Sequence, residues 1–241
     1  MAHIMREPSL VLLTGAGISA ESGIRTFRAA DGLWENQRIE DVATPAAFTR
    51  DPQLVYQFYN QRRAQLHSTE VAPNAAHFAL AELEALWPGH FLLVTQNVDD
   101  LHERAGSKKL LHMHGELRSA LCQQCFTRHR WVRELGATDQ CPSCAKPAGL
   151  RPDIVWFGEM PYHMEQIGPA LHHCDIFVAI GTSGKVYPAA GFVREAIRAV
   201  RRIEVNLQAS DISEAFDIHK VGPASREVPQ LVQELLALHQ K

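Results

Sequence analysis

Apolar residues fall along this chain in two alternating patterns, short unbroken runs and helical repeats. Leu10–Thr14, Phe91–Thr95 and Ile176–Ile180 are such runs, and Arg202–Asn206 is a weaker fourth. Runs of this length suit strands buried on both faces, as in a parallel sheet. Between them, Ala76, Leu80, Leu83 and Trp87 recur at helical spacing, as do Val193, Ile197 and Val200, and then Val228, Leu231, Leu235 and Leu238. The alternation predicts an α/β fold, a Rossmann-type parallel sheet with helices on its faces. Each run ends in small or polar residues: Gly15, Gln96-Asn97, Gly181-Thr182-Ser183 and Asn206. Ligands of open parallel sheets bind beyond the carboxyl ends of the strands, so these four endings mark one expected site.

Two stretches break the rhythm. Residues 28–73 read as loop plus helices, a cofactor loop and helical insertion without a clear strand. Residues 117–150 hold four cysteines and few apolar runs, and read as a small inserted zinc-binding module. Residues 1–27, 74–116 and 151–241 then form the discontinuous main domain. A length of 241 residues allows one domain plus an insertion.

The spacing of the cysteines defines the insertion. Cys122-x-x-Cys125 is followed after fifteen residues by Cys141-x-x-Cys144. Two such pairs close a tetrahedron of thiolates around one zinc and leave no open position, so the metal is expected to be structural. Cys174, beside an apolar run, reads as a buried inert thiol.

Gly15-Ala16-Gly17-Ile18-Ser19-Ala20 comes directly after the first strand and fits G-x-G-x-x-[G/A]. Glycines there permit a tight turn and a close approach to a pyrophosphate at a helix N-terminus. A dehydrogenase would continue to a second strand with an acidic ribose ligand about 20 residues on. Here Phe27–Trp34 is loop-like, with Glu35, Glu40 and Asp41 on no evident strand. A dinucleotide is expected; simple hydride transfer is disfavoured.

Composition narrows the partners. With 46% hydrophobic and 21% charged residues and a formal net charge of -3, bulk charge does not favour nucleic acid. No apolar run is long enough to span a membrane, and Met1–Ser9 has no signal-peptide core. A cytoplasmic chain with reduced cysteines is expected, without direct nucleic-acid or membrane partners, and as a monomer.

Taken in order, Gly15–Ser19, Glu21–Arg28, Gln96-Asn97-Val98-Asp99, His114-Gly115, the four cysteines, Phe157-Gly158-Glu159 and Gly181-Thr182-Ser183 resemble the motifs of the sirtuins, the NAD-dependent protein-lysine deacylases. The match spans nearly the whole chain. The resemblance implies NAD in the cleft between a Rossmann-type and a zinc domain, consumed as co-substrate. Products would be free lysine, nicotinamide and O-acyl-ADP-ribose.

It also implies roles. His114 would be the general base on a ribose hydroxyl, a task for a group of near-neutral pKa; neighbouring His112 would compete for it, and the match to the family's His-Gly element selects His114. Asn97 and Asp99 would hold the nicotinamide carboxamide and orient the reacting ribose, with Gln96 on a ribose hydroxyl, although both also suit a helix cap. Gly15, Ala16, Gly17, Ser19, Arg28, Gly181, Thr182, Ser183, Asn206 and Ala224 complete the cofactor set, with Phe27 covering the nicotinamide pocket. Phe157, Gly158 and Glu159 would pair with an acyl-lysine peptide as an added strand.

Tyr59 and Arg62 are an i,i+3 pair on an expected helix from Asp51 to Leu66. As bare spacing they read as a half-buried aromatic and a surface cation. They also resemble the Tyr-x-x-Arg element of relatives that remove succinyl and malonyl groups, where guanidinium and phenol bind the distal carboxylate. Ala43 matches a small residue that leaves room for the longer chain. Gly184 stands where many family members carry leucine, with no effect readable from sequence. The expectation is a deacylase acting on acetyl-lysine and on succinyl- or malonyl-lysine, with desuccinylation at least comparable to deacetylation. The competing readings are an ADP-ribosyltransferase, a deacetylase without acidic-acyl preference, a non-catalytic NAD sensor and an oxidoreductase.

Overall fold

The computed structural model of the chain describes residues 7–24, 33–34, 37–146 and 149–238. The strands are β1 (Leu10–Thr14), β2 (Leu33–Trp34), β3 (Gln37–Arg38), β4 (Phe91–Thr95), β5 (Leu110–His112), β6 (Gly115–Cys122), β7 (Arg128–Arg130), β8 (Leu150–Ile154), β9 (Ile176–Ile180), β10 (Arg201–Asn206) and β11 (Ile218–Val221). The α-helices are α1 (Ile39–Val42), α2 (Pro45–Arg50), α3 (Pro52–Leu66), α4 (Ala75–Leu86), α5 (Leu101–Ala105), α6 (Met164–His173), α7 (Phe192–Glu195) and α8 (Ala224–Ala237).

Six strands form a parallel sheet in the order β11-β10-β9-β1-β4-β5. The chain fills one side from β1 through β4 to β5, then returns to fill the other from β9 outward. The order therefore reverses between β1 and β9, and the loops leaving those two strands part to form a crevice. All of β1 and β9 is buried, because both faces are covered. Leu10 and Leu12 pack with Leu80 of α4 and Leu231 of α8, while Val11 and Leu13 pack with Leu171 of α6 and Phe192 of α7. Alternate side chains thus serve two separate cores, as the period of a strand requires.

A second sheet, antiparallel β7-β6-β8, carries the cysteines. Its core joins Ala120, Trp131 and Leu150 to Tyr56 of α3, whose hydroxyl donates to the Leu150 carbonyl at 2.6 Å. Between the sheets, α1–α3 pack Val42, Phe58 and Tyr59 against Leu117 and Trp156.

Three expectations change. Val193, Ile197 and Val200 do not share a helix: α7 ends at Glu195, and Ile197 and Val200 are 67% and 78% exposed. The chain must turn at once, because Arg201 already pairs with Ile176 of β9. The edge strands β5 and β11 lack long apolar runs, one being three residues and the other largely exposed. The helical insertion also holds a two-residue ribbon, β2 with β3.

Candidate active site

A cavity of about 480 Å³ opens where β1, β4, β9 and β10 end. Its wall includes Gly15, Ala16, Gly17 and Ser19, then Gln96, Asn97, Asp99 and His114, then Gly181, Thr182, Ser183 and Asn206. Ala43, Tyr59, Phe157, Gly158 and Glu159 close the other side. Every described residue expected in the site lines it except Arg62 and Ala224. Phe27 and Arg28 lie outside the described residues.

The glycine loop also makes a contact within the protein. A Cβ at Gly15 would stand 2.7 Å from the Gly181 carbonyl oxygen, and one at Gly17 2.6 Å from the Gly181 Cα. The glycines let the two loops of the crevice touch backbone to backbone, which fixes the cavity's rim. The loop runs on into a 3-10 helix, Ala16–Ser22, rather than an α-helix. Gly184 also has an explanation: with φ of +72° its missing Cβ leaves room for Ile212, whose Cγ1 would be 2.6 Å away.

Ser19 organises the polar floor. Its Oγ accepts from Asn97 Nδ2 at 3.1 Å and donates to Asp99 Oδ2 at 3.0 Å. His77 Nδ1 accepts the Asn74 N–H at 3.3 Å, so its proton sits on Nε2, which faces Ser19 Oγ at 3.5 Å. With both lone pairs engaged, the hydroxyl must aim its single proton at Asp99. Asp99 also accepts the Leu101 N–H at 3.1 Å. Burial raises the Asp99 carboxyl to about 6, although Leu101, Ser19 and the charge of His112 pull it down. His77, fully buried, is lowered to about 4 by that burial. It was not among the expected site residues, since on α4 it lies in an apolar repeat; the signal was Asn74 three residues before it, a helix cap with a reciprocal partner.

His114 comes two residues after β5. Its Nδ1 lies 3.1 Å from the Gln96 carbonyl, which can only accept, so Nδ1 carries the proton and Nε2 is a bare base. Burial lowers its pKa, with the Gln96 contact opposing. Gln96 reaches Thr182 Oγ1 at 3.3 Å, and Asn206 Nδ2 donates to the Thr182 carbonyl at 2.8 Å, linking three strand ends.

On the far wall, Tyr59 is fully buried and its hydroxyl accepts from Trp156 Nε1 at 3.0 Å. Burial holds the phenol neutral by raising its pKa, against Trp156 and Arg151. Arg62 does not line the cavity; its guanidinium carbon stands 4.8 Å from the Phe58 ring centre. Both α3 arginines bury guanidinium nitrogens; Arg63 bonds to the Leu117 carbonyl at 2.8 Å and Asn60 Oδ1 at 2.6 Å. Ala224 packs in the core at the start of α8. The Glu159 carboxylate is engaged within the protein, taking two 2.7 Å bonds from Arg151 and one from the Trp156 N–H. Residues 157–159 form a turn, with the Phe157 N–H on the Ala43 carbonyl and the Glu159 N–H on that of Trp156.

The four cysteines are free thiols whose sulfurs lie within 4.8 Å of one another. The Cys122–Cys144 and Cys125–Cys141 sulfurs are each 3.7 Å apart. A tetrahedron with Zn–S bonds of about 2.3 Å has edges of about 3.8 Å, so the set fits a structural zinc. His129 Nε2 at 3.3 Å from Cys141 Sγ and the Gln124 N–H at 3.4 Å from Cys122 Sγ suit thiolate acceptors.

A crevice at a sheet reversal, a polar floor with a bare imidazole, and a cysteine-held second sheet define a dinucleotide-binding α/β protein with a structural zinc module. Residues 15–188 match the Sir2 family, and the chain belongs to that family. It is 62% identical over 228 residues to the NAD-dependent protein deacylase of Bdellovibrio bacteriovorus, covering 95% of this chain and 97% of the relative. A Sir2 homologue solved as an NAD complex superposes with a TM-score of 0.84 at 38% identity, over 95% of this chain and 90% of that one. A Sir2 protein bound to a myristoylated histone peptide gives 0.73 at 30%, over 96% and 92%. Among the described residues no helix is long and apolar enough to cross a membrane.

Proposed function

We propose that this chain is an NAD-dependent protein-lysine deacylase that accepts acetyl- and acidic acyl-lysines and yields free lysine, nicotinamide and O-acyl-ADP-ribose. The observation that carries the reading is the bare Nε2 of His114 in one wall with Asn97, Ser19 and Asp99. NAD supplies an activated ribose whose bond to nicotinamide is broken. Gly15–Ser19, Gly181–Ser183 and Asn206 would hold it across the crevice. Asn97 would bind the carboxamide, its position fixed by bonds to Gly15 O and Ser19 Oγ. Asp99 would stabilise positive charge developing on the ribose, and His114 would take a ribose hydroxyl proton. The acyl-lysine peptide would enter past Phe157 and Gly158.

Acidic-acyl preference draws support from Ala43 and Tyr59, which stand in the wall together, and from Arg62 one helical turn beyond Tyr59. We place the enzyme in the cytoplasm as a monomer. The test is kcat/KM on one peptide carrying acetyl- or succinyl-lysine, for wild type and Arg62→Met. Succinyl turnover should collapse in the variant while acetyl turnover survives. Equal behaviour of both acyl groups in both proteins would remove the acidic-acyl clamp. Transfer of adenine label from NAD to protein, without acyl product, would favour an ADP-ribosyltransferase.

A further inference from the structure

His112 is a buried histidine two residues before the base, and its surroundings ask for a different protonation state. It is the last residue of β5 and 7% exposed. Its Nδ1 lies 3.0 Å from the Asn97 carbonyl oxygen and its Nε2 lies 2.8 Å from Glu103 Oε1 on α5. A carbonyl only accepts, and so does an ionised carboxylate. A neutral ring can donate from one nitrogen, so one of these contacts would set two lone pairs against each other. An imidazolium donates to both. Among the described residues His114 meets a carbonyl on one side alone, which leaves it neutral.

We propose that His112 acts as a cationic positioning residue, an imidazolium that ties α5 to the backbone of Asn97 and so fixes the Gln96–Asp99 loop for cofactor binding. The groups facing the ring are Glu103 from α5, Glu116 from β6, Asp99 and His102 from the loop and helix beside it, and His163 ahead of α6. Burial opposes the charge, yet the bond and charge of Glu103, the charge of Glu116 and the Asn97 carbonyl together raise the ring's pKa. The charge also reaches the floor of the site, since it favours the ionised form of Asp99. Losing the proton would release the Asn97 carbonyl or Glu103 and make Asp99 harder to ionise.

This inference rests on Asn97 and Asp99 being cofactor residues, but its first test does not need turnover. The test tracks the His112 ring by NMR through a pH titration of the zinc-loaded protein, wild type and Glu103→Gln. Glu103 is 41% exposed at its side chain, so the variant should fold, and Glu116→Gln is a second variant should it not. The wild-type ring should stay protonated above neutral pH, and the Asn97 side-chain amide signals should move in step with its titration. Glu103→Gln should lower the ring's pKa by about one pH unit or more, a roughly tenfold weaker hold on the proton. The alkaline limb of kcat/KM for NAD should shift down with it; where no acyl peptide is turned over, the Kd for NAD replaces that readout. A ring that titrates alike in both proteins, or is neutral at pH 6, would overturn the proposal. So would displacement of the Nε2 proton by added Zn2+ or Mn2+, which would make Glu103, His112 and Glu116 a metal site.

Discussion

Replacing Ser19 by alanine should change stability by an amount that depends on pH, and the geometry fixes the sign. The hydroxyl is one of two donors to the Asp99 carboxylate, at 3.0 Å beside the Leu101 N–H at 3.1 Å. Asp99 is 7% exposed, and the lost hydroxyl leaves its Oδ2 without that protein donor. A hydrogen bond to a buried charged group contributes about 1.5–3 kcal/mol. At about 1.4 kcal/mol per pH unit, its loss should lift the Asp99 pKa, already raised to about 6, by roughly one to two pH units. The ordinary value is 3.8, so the folded state binds more protons than the unfolded state between 3.8 and the raised value. Stability from this group therefore falls as pH rises through that window and is flat above it. In Ser19→Ala the fall continues one to two pH units further. A second cost, the partner lost by Asn97 Nδ2 and by His77 Nε2, does not vary with pH once His77 is neutral. Urea unfolding of both proteins at pH 5.5 and 8.5 separates the two. The variant should be destabilised more at pH 8.5, by about 1.5–3 kcal/mol. The acid limb of NAD-dependent turnover should move up by the same interval. An equal loss of stability at both pH values would refute the assigned bond from Ser19 to an ionised Asp99.

Two further outcomes test the scaffold. Zinc removal by a strong chelator should release one metal per chain and loosen the antiparallel sheet, read by loss of the near-ultraviolet dichroism of Trp131, which packs with Cys122 and Cys141. Gly17→Ala drives a methyl to 2.6 Å from the Gly181 Cα, where only backbone can yield; it should cost about 2 kcal/mol or more, lower Tm by about 4 °C or more, and weaken NAD binding measured by calorimetry.

One physical divide separates the features that the chain declares in its sequence from those that it conceals. β1 and β9 are covered on both faces, so Leu10–Leu13 and Ile176–Ile180 are apolar throughout, and that leaves unbroken runs in the sequence. β11 is an edge strand with exposed Ile218 and Val221, and its composition matches that of a loop. Val193, Ile197 and Val200 keep helical spacing without a helix, because the next strand begins before a second turn can form. The site divides the same way. Residues at strand ends are legible, since the topology alone carries them to the crevice. Residues recruited from elsewhere are not. His77 reaches Ser19 from a helix whose repeat is otherwise apolar. Glu159 is an acid in a promising place whose charge is consumed by Arg151, eight residues away in sequence.

Tyr59 shows the divide within one helix. Arg62 and Arg63 lie three and four residues beyond it, and both spacings place a cation on its face. Only packing separates them: Arg63 turns inward to the Leu117 carbonyl, while Arg62 stacks on Phe58. A motif therefore names the pair, but the hydrogen bonds of Arg63 mark it as the structural one. Arg63→Met should cost stability, because it removes the Arg63 bond to the Leu117 carbonyl and one of the two donors to Asn60 Oδ1, a loss of about 1–3 kcal/mol. Arg62→Met should cost less stability than Arg63→Met and should alter the choice of acyl group. If thermal unfolding ranked the two variants the other way, the roles drawn here for the two arginines would have to be exchanged, and the carboxylate clamp moved one residue along the helix.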